Sequence, residues 1–291
     1  MVEISKTVGV LGATSFVGKS LLPMLSGAGF DVHAFSRQHT SYADPNITWR
    51  QATTNTTATS ESNNIGSWVC VAPVWVLPEY LPWLKSMGAT RVVALSSTSL
   101  FTKTKSNDSS EQLLAKHIAQ SEKKFIEWAQ LNNIEWVILR PTLIYGLGLD
   151  KNISEIAHFI RRFSFFPLFG KAYGLRQPVH VQDVAQACFA SLKSTTPNRA
   201  YNLSGGEAVS YREMVARLFA RLGYPVRFFS IPIPVFRIAV AVITLLPRYR
   251  KWTFAMAERM NQDMVFDHTD AKNDLGFNPR NYNLQQTDLP I

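Results

Sequence analysis

The stretch that most constrains this chain is Gly12-Ala13-Thr14-Ser15-Phe16-Val17-Gly18, which follows the apolar run Thr7 to Leu11 and precedes Lys19-Ser20-Leu21-Leu22. An apolar strand, a turn rich in small residues and a helix in direct succession form one βα unit. Small residues let the backbone approach a pyrophosphate, whose charge is met by the N–H groups and dipole at the helix start. Ser15 stands where the middle glycine of such turns usually falls. A tight βα turn that holds no ligand is the alternative reading.

The rest of the chain alternates in the same way, apolar runs of strand length with longer segments of helical period, which predicts successive βα units around a parallel sheet. The expected strands are Thr7 to Leu11, Asp31 to Ser36, Trp68 to Ala72, Arg91 to Ser96 and Glu135 to Arg140, with helices at about Lys19 to Gly27, Pro78 to Met87 and Glu111 to Asn132. Residues Gln51 to Asn64 are almost wholly Thr, Ser, Asn and Ala, which reads as a loop or a short, poorly formed element. Beyond Arg140-Pro141 the pattern turns helix-rich, at Ile153 to Phe163, Asp183 to Leu192, Tyr211 to Leu222 and Val235 to Leu246. The expected fold class is therefore α/β, a doubly wound parallel sheet with a smaller, helix-rich C-terminal substrate lobe. The division places 1–148 with 178–203 in a dinucleotide-binding domain and 149–177 with 204–291 in the lobe.

With 291 residues the chain can bury a substantial core without disulfides, and its two cysteines, Cys70 and Cys188, both sit in apolar runs. They suggest neither a metal site nor a redox motif. The start lacks the charged and long apolar regions of a secretory signal, so a cytoplasmic setting is expected. The formal charge is +9, but the basic residues are dispersed apart from Arg161-Arg162 and Arg248-Tyr249-Arg250-Lys251. That dispersal favours small anions or an anionic membrane surface over nucleic acid as the partner. No apolar run reaches the roughly 18 residues needed to span a bilayer. Pro234 to Pro247 comes closest, and reads as a lobe helix or as a helix lying on a membrane surface, peripheral at the inner face.

Past the second strand, where an acidic residue would bind a ribose 2′-hydroxyl, Ser36-Arg37 stands instead. Arg37 suits a 2′-phosphate, so NADP is favoured over NAD.

These features and several later segments together resemble the NAD-dependent epimerase/dehydratase family of extended short-chain dehydrogenase/reductases, over nearly the whole chain. The segments are Ala94-Leu95-Ser96-Ser97-Thr98-Ser99-Leu100-Phe101, Leu139-Arg140-Pro141-Thr142-Leu143-Ile144-Tyr145-Gly146, Val179-His180-Val181-Gln182-Asp183-Val184-Ala185, Tyr201-Asn202-Leu203-Ser204-Gly205-Gly206 and Asp274-Leu275-Gly276-Phe277. The resemblance implies an NAD(P)-binding oxidoreductase or epimerase acting on a nucleoside-diphosphate sugar or a similarly activated substrate, with a homodimer as one further partnership. It places Gly12, Thr14, Ser15, Phe16, Val17, Gly18, Arg37, Ala72, Pro73 and Pro141 at the cofactor, and Ser97 at the catalytic hydroxyl. Arg176, and more loosely Arg259, fall where substrate-diphosphate arginines belong. A guanidinium fork suits that task because two N–H groups meet two oxygens at once; a surface salt bridge is the plainer reading of either. In the family the His180 segment is mainly structural, and Asp183 reads as a helix cap.

One departure stands out. Relatives carry a Tyr-x-x-x-Lys pair that moves a proton and holds the nicotinamide ribose, yet no Tyr occurs here between Tyr80 and Tyr145. Keeping Lys116 as the lysine puts Gln112 in the Tyr place, whereas counting back from Glu122 and Arg140 puts Leu114 and Ile118 at the two positions. Neither Gln nor Leu exchanges a proton near neutral pH. Three readings follow: His117 or Glu111 substitutes as the acid, the substrate supplies its own proton path, or the protein is a catalytically silent NADP-binding sensor or assembly subunit.

Overall fold

The computed structural model describes residues 6–37, 44–52, 54, 64–104, 106–234, 236 and 254–290. The expected helix Val235 to Leu246, the 248–251 basic group and most of the polar stretch 51–64 lie outside them.

The first half lays down β1 (Thr7–Leu11), α1 (Phe16–Gly27), β2 (Asp31–Ser36), β3 (Ile47–Gln51), β4 (Ser67–Cys70), α2 (Leu77–Ser86), β5 (Arg91–Leu95), a single turn α3 (Ser99–Thr102) and the long α4 (Ser109–Leu131). Next come β6 (Glu135–Pro141), β7 (Ile144–Tyr145), α5 (Ile153–Phe163), β8 (Phe166–Phe169), β9 (Leu175–Arg176), β10 (Val179–His180), α6 (Val181–Ser191) and β11 (Arg199–Leu203). The C-terminal part holds β12 (Val209–Ser210), α7 (Tyr211–Leu222), β13 (Phe228–Ile231), α8 (Phe254–Asn261) and α9 (Thr269–Leu275).

Seven strands pair in the order β11-β6-β5-β4-β1-β2-β3, every pair parallel. Both faces of such a sheet must be covered, which is why its strands are apolar throughout rather than alternating. On one face α1 and α6 contribute Leu21, Leu22, Leu25, Val184, Ala187 and Cys188 to a core with Val8, Val10 and Val69. On the other, α2 and α4 pack Leu81, Leu84, Phe125 and Ala129 against Trp68, Val92 and Ile138. The doubly wound α/β class is as expected. β3 and β11 are additions to the five predicted strands. β3 reads ITWRQ and has only one buried residue, Ile47, because it is the sheet edge; its apolar signal is correspondingly weak.

A third core forms the lobe, where Ile153, Ile160, Leu168, Phe169, Met214, Leu218 and Phe219 pack with Tyr145 and Tyr282. Helix ends are fixed locally. Asp108 caps α4 by accepting from the N–H of Ser110 at 2.9 Å, and Ser210 caps α7 by accepting from that of Glu213 at 3.0 Å. Asp183 is not the cap of α6. That position belongs to His180, whose Nδ1 accepts from the N–H of Gln182 at 3.2 Å. Asp183 lies within the first turn and grips Arg280, accepting from its Nη2 at 2.8 Å and from its backbone N–H at 3.0 Å.

Among the described residues no helix is long and apolar enough to cross a membrane.

Candidate active site

The sheet reverses its winding between β1 and β4, and a crevice outside the strand ends at such a point is where doubly wound folds take ligands. Gly12 leaves β1 there with φ of 83°, a left-handed conformation. A side chain at Gly12 would put its Cβ 2.5 Å from the backbone nitrogen of Ala72, just past β4, so hydrogen is the only substituent the crevice accommodates. At Gly18 a Cβ would meet the Ala13 carbonyl oxygen at 2.4 Å, so the helix can pack against its own turn only as glycine. The N–H groups of Gly12 and Ala13 donate to the Phe35 carbonyl at 3.0 and 3.1 Å, tying the turn to the end of β2.

Ser15 has a structural role. It is the N-cap of α1, and its Oγ accepts from the N–H of Gly18 at 3.1 Å. The hydroxyl thereby folds inward over the first turn and satisfies one of the N–H groups that a helix start leaves without partners. Phe16 and Val17 open the helix beside it, and Thr14 is exposed. Arg37 follows the last residue of β2 and is exposed, while Ala72 is half-buried, Pro73 exposed and Pro141 buried at the end of β6. A glycine turn, a capped helix N-terminus and an exposed arginine beyond the second strand fit a phosphorylated dinucleotide.

Further along the strand ends, Ser97 is half-buried; its hydroxyl donates to Ser99 Oγ at 3.0 Å and accepts from the Ser99 N–H at 3.1 Å. Ser96, Glu122 and Arg140 form a buried knot beneath it. Ser96 Oγ donates to Glu122 Oε1 at 2.5 Å, and Arg140 donates through Nη2 to Glu122 Oε2 at 2.5 Å and through Nε to Oε1 at 3.0 Å. The Arg140 guanidinium also lies over the Phe101 ring, 5.4 Å from its centroid.

That knot fixes the rotation of α4. Glu122 is 4% exposed, Ala115 and Ile118 are 1% exposed, and Lys116 and His117 lie on the exposed side. The helix therefore turns Ile118 inward, with Leu114 half-buried one turn before it. This is the register counted from Glu122 and Arg140, in which neither position can carry a proton.

The two arginines expected at the substrate are engaged by the protein itself. Arg176 is 5% exposed; its guanidinium donates to the carbonyls of Leu175 at 2.7 Å and Gln262 at 2.8 Å, as well as to that of Arg259. It also lies over the Tyr211 ring at 5.6 Å. Burial holds its pKa below the ordinary arginine range, with Tyr211 and Asp263 opposing. Arg259 contacts Glu111 Oε1, which also has Lys103 Nζ at 3.6 Å. Burial lowers the Lys103 pKa and Arg259 lowers it further, while Asp108 acts the other way. Asn107 donates to both carboxylate oxygens of Glu258, at 3.0 and 3.1 Å. The α3–α4 connection is thus fastened to α8 of the lobe. Sequence reasoning did not foresee Glu111 as that fastener, since its partner lies 148 positions away and no local pattern reports it.

A doubly wound sheet with a glycine turn at its switch point is the architecture in which dinucleotides are commonly bound. Residues 79–204 match the NAD dependent epimerase/dehydratase family, to which the chain is similar over that stretch. The chain is 30% identical over 112 residues to NADH dehydrogenase [ubiquinone] 1 alpha subcomplex subunit 9 of Arabidopsis thaliana, covering 38% of this chain and 28% of that one. It is 26% identical over 136 residues to UDP-glucose 4-epimerase of Vibrio cholerae, covering 46% and 40% respectively. The matched stretches therefore span well under half of either relative. Among solved structures, UDP-glucuronic acid 4-epimerase from Bacillus cereus in complex with NAD shares the fold with a TM-score of 0.70 at 14% identity, over 97% of this chain and 95% of that one.

Proposed function

We propose that the protein binds NADP in the crevice between the ends of β1 and β4 and, in that complex, takes a nucleoside-diphosphate sugar or a similarly activated substrate between Ser97 and the lobe. The observation that carries this reading is Gly12, whose left-handed backbone and close packing on Ala72, where a Cβ would lie 2.5 Å from the backbone nitrogen, bend the chain tightly from β1 into the N-terminus of α1. The N–H groups at the start of α1 that Ser15 does not cap would hold the pyrophosphate, with Gly12 and Gly18 shaping the turn around it, and Arg37 would hold the 2′-phosphate. When bound, the nicotinamide supplies a carbon that accepts or gives hydride. Ser97 would hold the reacting oxygen by its hydroxyl. Arg176 would act by holding the main chain at Arg259 and Gln262, leaving Arg259 as the cation free to exchange Glu111 for an anion. The outward positions of Lys116 and His117 support neither a ribose contact nor proton transfer.

A second reading, a catalytically silent NADP-binding sensor or assembly subunit, is favoured by α4, whose buried face offers Ala115 and Ile118 and, as its one acid, Glu122, which is taken up by Arg140. The names of the two relatives, an epimerase and an NADH dehydrogenase subcomplex subunit, give each reading a counterpart.

Calorimetric titration with NADPH and NADH, followed by UDP-sugars added to the cofactor complex, separates these readings. NADPH binding that weakens in Arg37→Asp, then UDP-sugar binding with a change in nicotinamide absorbance, is the expected result. Cofactor binding without any hydride exchange would leave the silent reading; no binding of either dinucleotide would overturn both.

A further inference from the structure

We propose that the face of the lobe built from the end of α5 and the strands β8 and β13 docks on an anionic lipid bilayer. The lobe buries its own core well, yet five large apolar side chains stand outside it: Phe163 at 48% exposure, Phe165 at 38%, Tyr173 at 62%, Val226 at 49% and Phe229 at 62%. They are neighbours. The Phe163 and Phe165 rings lie 6.3 Å apart, Phe165 and Phe229 flank one groove with Arg227, and Arg227, Val226 and Tyr173 line an adjoining groove of about 760 Å³.

Local geometry explains the exposure. Helix α5 ends at Ser164 in a left-handed conformation, φ 60°, so the chain reverses at once into β8 and the residues on either side of the cap are held out. In β13 the two middle residues, Phe229 and Ser230, are exposed. Phe228 packs on Phe219 with ring centroids 5.7 Å apart, and Phe229 then points to solvent where a polar residue would be the ordinary choice.

Among the described residues that line the two grooves, the charges left without an opposite partner are of one sign. Arg162 lies over the Phe163 ring at 5.4 Å and Arg212 over the Phe228 ring at 4.6 Å, with Arg227 between the grooves. Among the described residues none of these three arginines has a carboxylate partner, whereas Arg91, Arg199, Arg217 and Arg280 all do. Glu213, which borders the larger groove, is already paired with Arg217 at 2.9 Å. Exposed rings interleaved with unneutralised guanidinium groups suit the headgroup boundary of an anionic leaflet, where rings reach the acyl region and arginines meet lipid phosphates. A second copy fits less well, because a two-fold contact would set the same arginines against one another. These residues are separate in sequence from the 234–251 stretch considered above.

Co-sedimentation with vesicles of phosphatidylcholine alone, and of phosphatidylcholine mixed with phosphatidylglycerol, tests this. Binding only to the phosphatidylglycerol vesicles is expected, falling by about tenfold or more between low and high salt. Two pairs of substitutions, Arg162→Gln with Arg227→Gln and Phe165→Ser with Phe229→Ser, are each expected to reduce partitioning by about tenfold. Their thermal melts and NADPH titrations should match the parent, so that loss of vesicle binding is distinguishable from loss of fold or of the cofactor site. Absence of binding to anionic vesicles at low salt, or binding that both pairs leave intact, overturns the proposal. So does a concentration-dependent dimer abolished by the Phe pair, which would make this face a contact between copies.

Discussion

At Gly12 the difference between a hydrogen and a methyl group decides whether the turn can close on Ala72. Gly12→Ala meets two penalties at once, the left-handed backbone and the Ala72 main chain, and is expected to cost about 1–3 kcal/mol of stability. The same change should abolish NADPH binding, measured by titration alongside a thermal melt. Arg37 tests a different interaction. Charge-assisted hydrogen bonds to a phosphate contribute about 1.5–3 kcal/mol, so Arg37→Asp should weaken NADPH by roughly tenfold to a hundredfold and leave NADH far less affected. A ratio of the two affinities that stays constant would remove Arg37 from the site. The two thiols make no comparable demand; burial alone pushes Cys70 up and Cys188 up to about 12, so neither is a nucleophile near neutral pH.

Between elements, the Glu122–Arg140 pair joins α4 to β6 with side chains only 6% and 19% exposed. Removing one partner leaves an uncompensated buried charge, so Glu122→Gln is expected to destabilise by about 3–5 kcal/mol, and Glu122→Leu with Arg140→Met by much less. Denaturant unfolding of the three proteins would show it; equal losses would mean that the pair is not coupled. The sequence made most of this level legible. Strands β1, β2, β4, β5 and β6 announce themselves because central parallel strands are buried on both faces and so read as apolar runs. β3 and β11 escaped that signal: β3 is an edge strand with one buried residue, and β11 reads RAYNL, polar enough to be taken for a motif. At the candidate site, the glycine turn was readable because its chemistry is local. The engagement of Arg176 by three carbonyls and of Arg259 by Glu111 was not, since each depends on chain segments more than 80 positions apart meeting in the lobe. The rotation of α4 was half-legible, and only the Glu122–Arg140 contact chose between the two registers.

At the scale of the whole molecule, Asp288 ties the start of α6 to the turn after β7. His180, at the head of α6, lies 3.0 Å from Asp288, and Asp288 also accepts from the N–H of Leu147 at 3.2 Å and that of Gln285 at 2.8 Å. Burial would raise the Asp288 pKa, but these hydrogen bonds outweigh it and hold the carboxyl below its ordinary value. A carboxyl lowered on folding stabilises above its unfolded pKa, about 3.9, and that contribution disappears as pH falls through the lower folded value. Acid unfolding should therefore steepen below about pH 4. Asp288→Asn should be less stable at pH 7 and lose that part of the acid dependence; identical melting profiles for the two proteins across this range would refute the assignment.

The lobe is not a bead strung after the sheet. The chain leaves the sheet after β6, returns through α6 to β11, departs again through α7 and α8, and comes back in α9, where Ala271 and Phe277 join the core beneath α1 and α6. A single cut in any one excursion would leave two fragments that share a core, so a nicked protein should still migrate as one particle. For inheritance the same threading has the opposite effect. Each excursion starts and ends on a strand or helix already locked in register, so an insertion in one can reshape the ligand side without moving the parallel bed that carries it.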